Sequence, residues 1–366
     1  MDIMRWPSFF ANNKFSKIVT TCFFAFMVLE AVFCLPVLVF QYTESVGQYS
    51  PFIVGTTIAF TSYTILYIKH KPFCHMYNEI FPTLWRLKST GPETFDTIRN
   101  IGTRTKCFTV FLTLLTILSA TLALPWFGDE YELYVTIKVF EDCLDKYATF
   151  FSVLFYISLY HGGFTIVLNV LTFMYLTLHL FFQCILLKKE LDKLGALPKS
   201  HKKDKFYQDT VKTKLVFCIK HHQRLQNFMI RINNFMYFPI MAFTFSGIVC
   251  GVCLIFVPKF FEKSFWRVFC AGLVAFTLVV AFCYMGQLLE DTTEDMYYSV
   301  INLPWYEWNA KNKKLVVVLM AKSQKNMALS SSGLITVNYK LLIALYQKIY
   351  SGITFLVNVS HTSPEL

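Results

Sequence analysis

The chain has 366 residues, of which 55% are hydrophobic, 18% aromatic and only 16% charged, and its mean hydropathy is +0.46. A soluble globular domain carries about 25% charged residues, so this composition excludes an ordinary soluble domain and predicts an all-α integral membrane protein. The formal net charge of +11 does not indicate nucleic acid, because the basic residues are not gathered on a soluble module and no zinc, RNP or helix-turn-helix pattern accompanies them.

Seven membrane spans are predicted in chain order, at about 18–40, 51–70, 107–126, 148–187, 235–257, 266–289 and 334–358. Residues 1–17 carry Arg5, Lys14 and Lys17. The apolar run after them is too long for a signal-peptide core and lacks a small-residue cleavage motif, so it is expected to be the first span. Pro36 should bend it. The fourth span is too long for a simple crossing and should continue into the cytoplasm, with a kink expected at His161-Gly162-Gly163. Residues 206–234 have helical periodicity and many charges, which suits a cytoplasmic extension of the fifth helix. Gly247-x-x-x-Gly251 within that span matches a helix-packing pattern that is common in apolar segments.

Lys and Arg outside the spans divide 27 to 5 between the two sides. The positive-inside rule then predicts a cytoplasmic N-terminus and an extracellular C-terminus. This orientation disfavours a G-protein-coupled receptor, which places its N-terminus outside. The acidic-Arg-aromatic triplet of that class is also missing, since Trp126-Phe127-Gly128 follows span three, and span seven has no proline. A transporter is disfavoured because no inverted repeat or pair of broken helices is evident.

Polar motifs between the spans have plain explanations. Of eleven cysteines most lie in apolar segments, where a thiol behaves as a small hydrophobe, and only Cys143 sits in a clearly external loop. No disulfide framework is expected, and Cys250-x-x-Cys253 lacks the second pair a metal site needs. His221 and His222 are adjacent and so do not share a helix face; packing explains them better than a metal does. The loop 129–145 carries Asp129, Glu130, Glu132, Glu141, Asp142 and Asp145. A solvated loop is expected there, with a cation-attracting rim as the alternative. No nucleophile, base pair or phosphate loop supports an enzyme, and no cofactor is implied.

The C-terminal stretch organises the chain. An apolar helix is predicted over Gly333–Val359, with Thr336, Lys340, Gln347, Ser351, Thr354 and Asn358 spaced 4, 7, 4, 3 and 4 apart. At about 100° per residue these six share one face. A polar stripe in hydrocarbon is costly unless it meets partner helices or water. It is either a packing seam or one wall of an aqueous pore. Asn358-Val359-Ser360 is formally a glycosylation sequon, but at the membrane edge Asn358 is better placed as a pore-mouth residue.

The same stretch resembles the C-terminal signature of the insect odorant receptor family. The residues that carry the resemblance are Cys283-x-x-Gly286 and the acidic run after it, Trp305-Tyr306, Lys322-Ser323-Gln324-Lys325 and Tyr350-Ser351. Upstream, Gln183-Cys184-Ile185-Leu186 and Cys218-Ile219-Lys220-His221-His222 followed by Leu225 look like family patterns. Two departures are Gly352, where the family more often has an aromatic residue, and Asn169, where many members have an Asp.

The resemblance implies seven spans, helices four to seven extended into a cytoplasmic anchor region (about 188–234 and 290–333), and a single domain over 1–366. It implies a ligand-gated, non-selective cation channel subunit opened by small volatile organic molecules. Such a subunit would form a heterotetramer with an odorant co-receptor, in the plasma membrane of a sensory neuron dendrite. A gustatory-type channel of the same superfamily is the alternative. The family places its odorant site among the outer halves of spans two, three, four and six. Ser119, Leu122 and Trp126 then come forward as a group at i, i+3 and i+7, with Phe60, Tyr63, Phe155, Leu159, Phe276 and Val280 as companions at matched depth. The pore is expected at Ser351, Thr354 and Asn358, with Phe355 as its apolar constriction. Lys311, Lys313 and Lys314 and the apolar run 315–320 fall in a helix that, taken alone, would suit a membrane surface and that the resemblance assigns to the anchor.

Overall fold

The structure is a computed structural model that describes residues 14–41, 55–68, 75–76, 92–126, 134–197, 204–260, 265–331 and 333–362. Its helices are α1 (Lys14–Gln41), α2 (55–68), α3 (Pro92–Leu122), α4 (Val135–Leu144), α5 (Ala148–Gly195), α6 (Lys205–Phe260), α7 (Phe265–Ile301), α8 (Ala310–Ser323) and α9 (Tyr339–Thr362). A two-stranded antiparallel hairpin, β1 (Ser330–Ser331) and β2 (Ile335–Thr336), precedes α9. Among the described residues five helices, α3, α5, α6, α7 and α9, are long and apolar enough to cross a membrane.

Helix α5 is the axis of the bundle. It is apolar on every side, and a helix with no polar face has to be enclosed. In its most apolar stretch 89% of residues are buried, against 6% for α9. Helices α3, α6 and α7 pack around it, α9 lies on α6 and α7, and α4 rests on α1 and α5. The helix runs unbroken through His161-Gly162-Gly163. The glycines admit neighbours instead. A Cβ on Gly162 would meet Ala59 of α2 at 3.6 Å, and one on Gly163 would meet Thr116 of α3 at 3.1 Å. Helix α1 likewise continues past Pro36.

Helix α3 begins at Pro92, well before the predicted start of span three, and ends at Leu122. Proline suits its first turn because the missing N–H would be unpaired there anyway. Thr97, Thr103, Thr105, Thr109, Thr113, Thr116 and Thr121 each donate a hydroxyl to the carbonyl four residues back. That habit hides a polar group inside its own helix and makes threonine tolerable in an apolar environment. Part of the loop 129–145 is the helix α4, which buries Val135, Ile137, Val139 and Phe140 and exposes Glu141 and Asp142. Asp129, Glu130 and Glu132 lie outside the described residues.

Beyond the apolar part of α6, its first half packs with α8 and the hairpin through side chains that reach backbone. Gln208 accepts from Asn309 N at 3.0 Å, and Asn312 Nδ2 donates to the Gln208 carbonyl at 2.9 Å. Gln226 donates to the Lys322 carbonyl, and Asn233 holds both the Ala328 carbonyl and Ser330 N. His221 and His222 are buried on the same half of α6, as a packing role requires. Burial pushes His222 down to about 4, and burial with the nearby Arg224 and His222 pushes His221 down to about 3.

The last helix begins later than the sequence suggests. Gly333, at φ 72° in the turn, lets the chain double back, and Thr336 sits on β2. Thr336 therefore does not belong to the helical stripe. Asn338 caps α9, accepting from Leu341 N at 3.2 Å and donating to Glu290 at 3.1 Å, while Gln287 accepts from Tyr339 N. This docking depends on Gly286 of α7, where any Cβ would overlap the Val337 carbonyl oxygen.

Two expectations follow. Gly286→Ala should cost about 3 kcal/mol, since a backbone carbonyl cannot swing aside as a side chain can; a thermal melt of the detergent-solubilised protein would read this, and an unchanged melt would contradict it. Stability should also fall as pH drops from about 6.5 toward the folded values of about 4 and about 3. The histidines are held neutral in the fold, so below their unfolded value of about 6.5 the unfolded chain binds protons that the folded chain refuses. Replacing both with Gln should flatten the decline over that window, and an unchanged slope would assign it to other groups.

Candidate functional site

The C-terminal end of α3 is fixed by side-chain caps. A helix leaves its last carbonyls without intrahelical partners, and hydrocarbon offers none. Here four successive carbonyls are each taken by a side chain. Trp126 Nε1 donates to Thr121 O at 2.7 Å, Arg267 Nε to Leu122 O at 2.8 Å, the Tyr134 hydroxyl to Ala123 O at 3.0 Å, and Arg267 Nη2 to Leu124 O at 2.9 Å. Arg267, at the start of α7, is only 5% exposed. A guanidinium presents several donors in a fixed fork and complements the negative end of the helix dipole. The turn before α4, the start of α7 and the end of α3 are thereby tied into one unit.

This cap changes the position of Trp126. Pro125 follows the end of α3, and Trp126 lies in the turn beyond it. It is 66% exposed and does not continue the face that carries Ser119 and Leu122. Those two are half-buried on the last turn of α3.

The other residues singled out for ligand contact divide among three places. Tyr63 is fully buried among α1, α2 and α5, with Phe24 stacked against Phe60 beside it at 5.3 Å. Phe155 and Leu159 join Tyr134, Ile137 and Phe140 in a cluster between α4 and α5, to which α1 adds Phe26. Phe276 is turned toward α9, its ring 6.2 Å from Tyr346, and Val280 is half-buried one turn further along α7. Buried Glu30 of α1 accepts from Thr136 of α4 at 2.9 Å, so α1 and α4 are joined by a polar contact as well.

Sequence reasoning missed Arg267, Tyr134, Glu30 and the role of His161. The one legible signal was charge: Arg267 and Glu30 are ionisable residues at or within apolar segments, which by default demand a partner. Nothing in the local pattern marked Tyr134.

On α9 the polar stripe is open. Lys340, Gln347, Ser351, Thr354 and Asn358 are exposed, while Leu345, Ile349 and Gly352, on the opposite face, are buried or half-buried. A Cβ on Gly251 of α6 would meet Ile349 at 2.6 Å, and one on Gly352 would meet Val252 at 2.8 Å. The departure at Gly352 thus has a physical reason, close approach to α6. Gly251 has the same role, while Gly247 has open space beside it. Ser351 and Thr354 donate their hydroxyls to the Gln347 and Tyr350 carbonyls, at 2.8 Å and 3.0 Å. Among the described residues the stripe is left uncovered at Lys340, Gln347, Ser351 and Thr354.

A bundle of long apolar helices around a buried central one, closed by a helix whose polar face looks outward, defines a multi-pass helical membrane protein. A sequence model of the 7tm odorant receptor family matches residues 42–350, and the chain belongs to that family. Curated relatives include odorant receptor 23a of Drosophila melanogaster, 21% identical over 149 residues that make up 39% of each chain. Odorant receptor 49a of the same fly is 26% identical over 151 residues, 38% of this chain and 36% of that one. These alignments span about two fifths of the relatives' length. The fold is similar to that of the insect olfactory receptor OR5 from Machilis hrabei, with a TM-score of 0.73 at 10% identity over 95% of this chain and 90% of that one. Its complex with eugenol gives a TM-score of 0.69 at 11% identity, over 95% and 91%.

Arg267→Met should strand two carbonyls and lower stability by on the order of 2–4 kcal/mol. Arg267→Lys, which keeps the charge but loses the fork, should fall between. A detergent melt that ranks the lysine variant with the methionine variant would argue against the geometric part of the cap.

Proposed function

We propose that the chain is an odorant receptor subunit: a ligand-gated, non-selective cation channel opened by small volatile organic molecules. The observation that carries this reading is the outward polar stripe of α9 in a member of this family. Among the described residues Lys340 and Gln347 stand exposed on this face and would be costly against lipid, while Ser351 and Thr354 bond back into their own helix. Several copies arranged around an axis would turn those faces to water instead. Hydroxyl and amide groups at Ser351, Thr354 and Asn358 replace part of an ion's hydration without a fixed charge, which suits weak discrimination among cations. Phe355, exposed beside them, would form the apolar constriction.

The partner in this reading is an odorant co-receptor subunit, in a heterotetramer at the plasma membrane of a sensory neuron dendrite. The distribution of Lys and Arg, 27 to 5, supports a cytoplasmic N-terminus. The half of α6 before residue 235, the end of α7 and α8 would then form the cytoplasmic anchor within a single domain over 1–366. Binding of eugenol by the Machilis receptor supports a volatile ligand for this chain. Tyr63, Phe60, Phe155, Leu159, Ser119, Leu122 and Val280 stay as candidates for ligand contact. Trp126 and Phe276 stay candidates too, Trp126 also capping α3 and Phe276 also meeting α9.

Cysteine substitution tests the pore. With the co-receptor co-expressed, a water-soluble thiol reagent applied during agonist-evoked current should reduce it at positions 351, 354 and 358 and spare Ile349→Cys and Leu356→Cys. Equal sensitivity on both faces, or none on either, would return the stripe to a contact between subunits.

A further inference from the structure

The interface of α2 and α5 is polar at its heart. Tyr63 of α2 and His161 of α5 are hydrogen-bonded through the phenol oxygen and Nδ1. Thr165 donates to the His161 carbonyl at 2.8 Å, and Asn169 Nδ2 bridges the carbonyls of Thr165 and Ser62, at 3.2 Å and 3.0 Å. Asn169 is thus placed as a donor, a role an ionised Asp could not fill. The hydroxyl of Ser62 is fully buried and, among the described residues, has no hydrogen-bond partner. Hydrogen-bonding capacity is left over in this interface, and buried polar groups are seldom left so.

His161 holds the most useful share of it. The phenol is the better acid and the imidazole the better base, so the Tyr63 hydroxyl donates to Nδ1. A neutral imidazole that accepts at Nδ1 carries its proton on Nε2. Among the described residues Nε2 has no hydrogen-bond partner. The ring is held between Phe23, stacked at 4.5 Å, and Tyr63, at 5.4 Å and nearly parallel. It is only half-buried. One oriented N–H at the edge of an aromatic cradle is what a small, mostly apolar molecule with a single acceptor oxygen requires.

We infer that His161, oriented by Tyr63, is the specificity-determining donor of the ligand site and selects small carbonyl compounds: ketones, esters or aldehydes. This rests on the odorant-gated reading above. A site built around a donor rejects a ligand lacking the acceptor, because the N–H is then stranded.

The test uses ketones paired with the alkenes in which C=CH2 replaces C=O, acetophenone with α-methylstyrene among them. Shape is preserved and only the acceptor is lost. With the co-receptor present, the full-length chain should respond to the ketone of a pair at about tenfold lower concentration than to the alkene. His161→Phe should abolish that preference. His161→Gln, which keeps an amide N–H in reach, should retain part of it. Tyr63→Phe, which frees the ring, should weaken it, and surface labelling would confirm that each variant is delivered. A preference that survives in His161→Phe, or ketone and alkene curves shifted together in every delivered variant, would overturn the inference while leaving odorant gating intact. A wild-type chain silent to the ketones but opened by volatiles of other classes would overturn the inference alone, and one silent to a broad volatile panel, beside a responsive control subunit, would overturn the gating reading as well.

Discussion

The constraint on which the rest of the structure depends is that a backbone group in hydrocarbon must find its partner within the protein. Helix interiors meet it automatically. Helix ends do not, and the end of α3 shows the remedy at its fullest: four consecutive carbonyls closed by an indole, a phenol and a guanidinium drawn from three segments. Because one arginine serves two of those carbonyls from another helix, local satisfaction becomes tertiary structure. The seven threonines of α3 that bond back along their own helix obey the same constraint on a smaller scale.

At the opposite end of the long helices the solution differs. There side-chain amides of α6 reach the backbone of α8 and of the hairpin, so an irregular segment of sequence is held in place by a regular one. Ion pairs contribute little. Lys188–Asp295 at 2.7 Å and Lys189–Glu93 at 3.3 Å join α5 to α7 and α3, but their side chains are largely solvated, and such pairs are worth at most about 1 kcal/mol. Specific amide contacts, more than charge, determine where the chain goes after Ile301.

The sequence revealed elements whose signal is long and periodic. The apolar stretches, the run of the fourth and fifth helices beyond their apolar parts, and the polar stripe were legible because burial imposes periodicity over many turns. Three features were not. The start of α3 at Pro92 hid in a charged segment that reads as a loop. Helix α4 is ten residues long, too short for its apolar face to stand out among acids. The hairpin before α9 is two residues per strand, and only Gly333 hinted at it. At the candidate ligand site, composition suggested aromatic residues near the right depth, but helical spacing carried Trp126 past a helix end that only tertiary contacts define. His161 was read only as part of an expected kink; its partner Tyr63 comes from α2, the helix that Gly162 lets approach.

The crossing of α6 and α9 has a mechanical consequence. Each helix offers a glycine to the branched side chain of the other, Gly251 to Ile349 and Gly352 to Val252. A crossing of this kind has few interlocked side chains to climb over and acts as a fulcrum. It lies near the middle of α9, leaving an arm of roughly 15 Å on either side. A tilt of about 10° about that point would carry each end roughly 2–3 Å, in opposite directions. Leverage is thus built into the last helix: a displacement of that size where it meets the hairpin is reversed beyond the crossing, by about 1 Å at Thr354 and about 2 Å at Asn358.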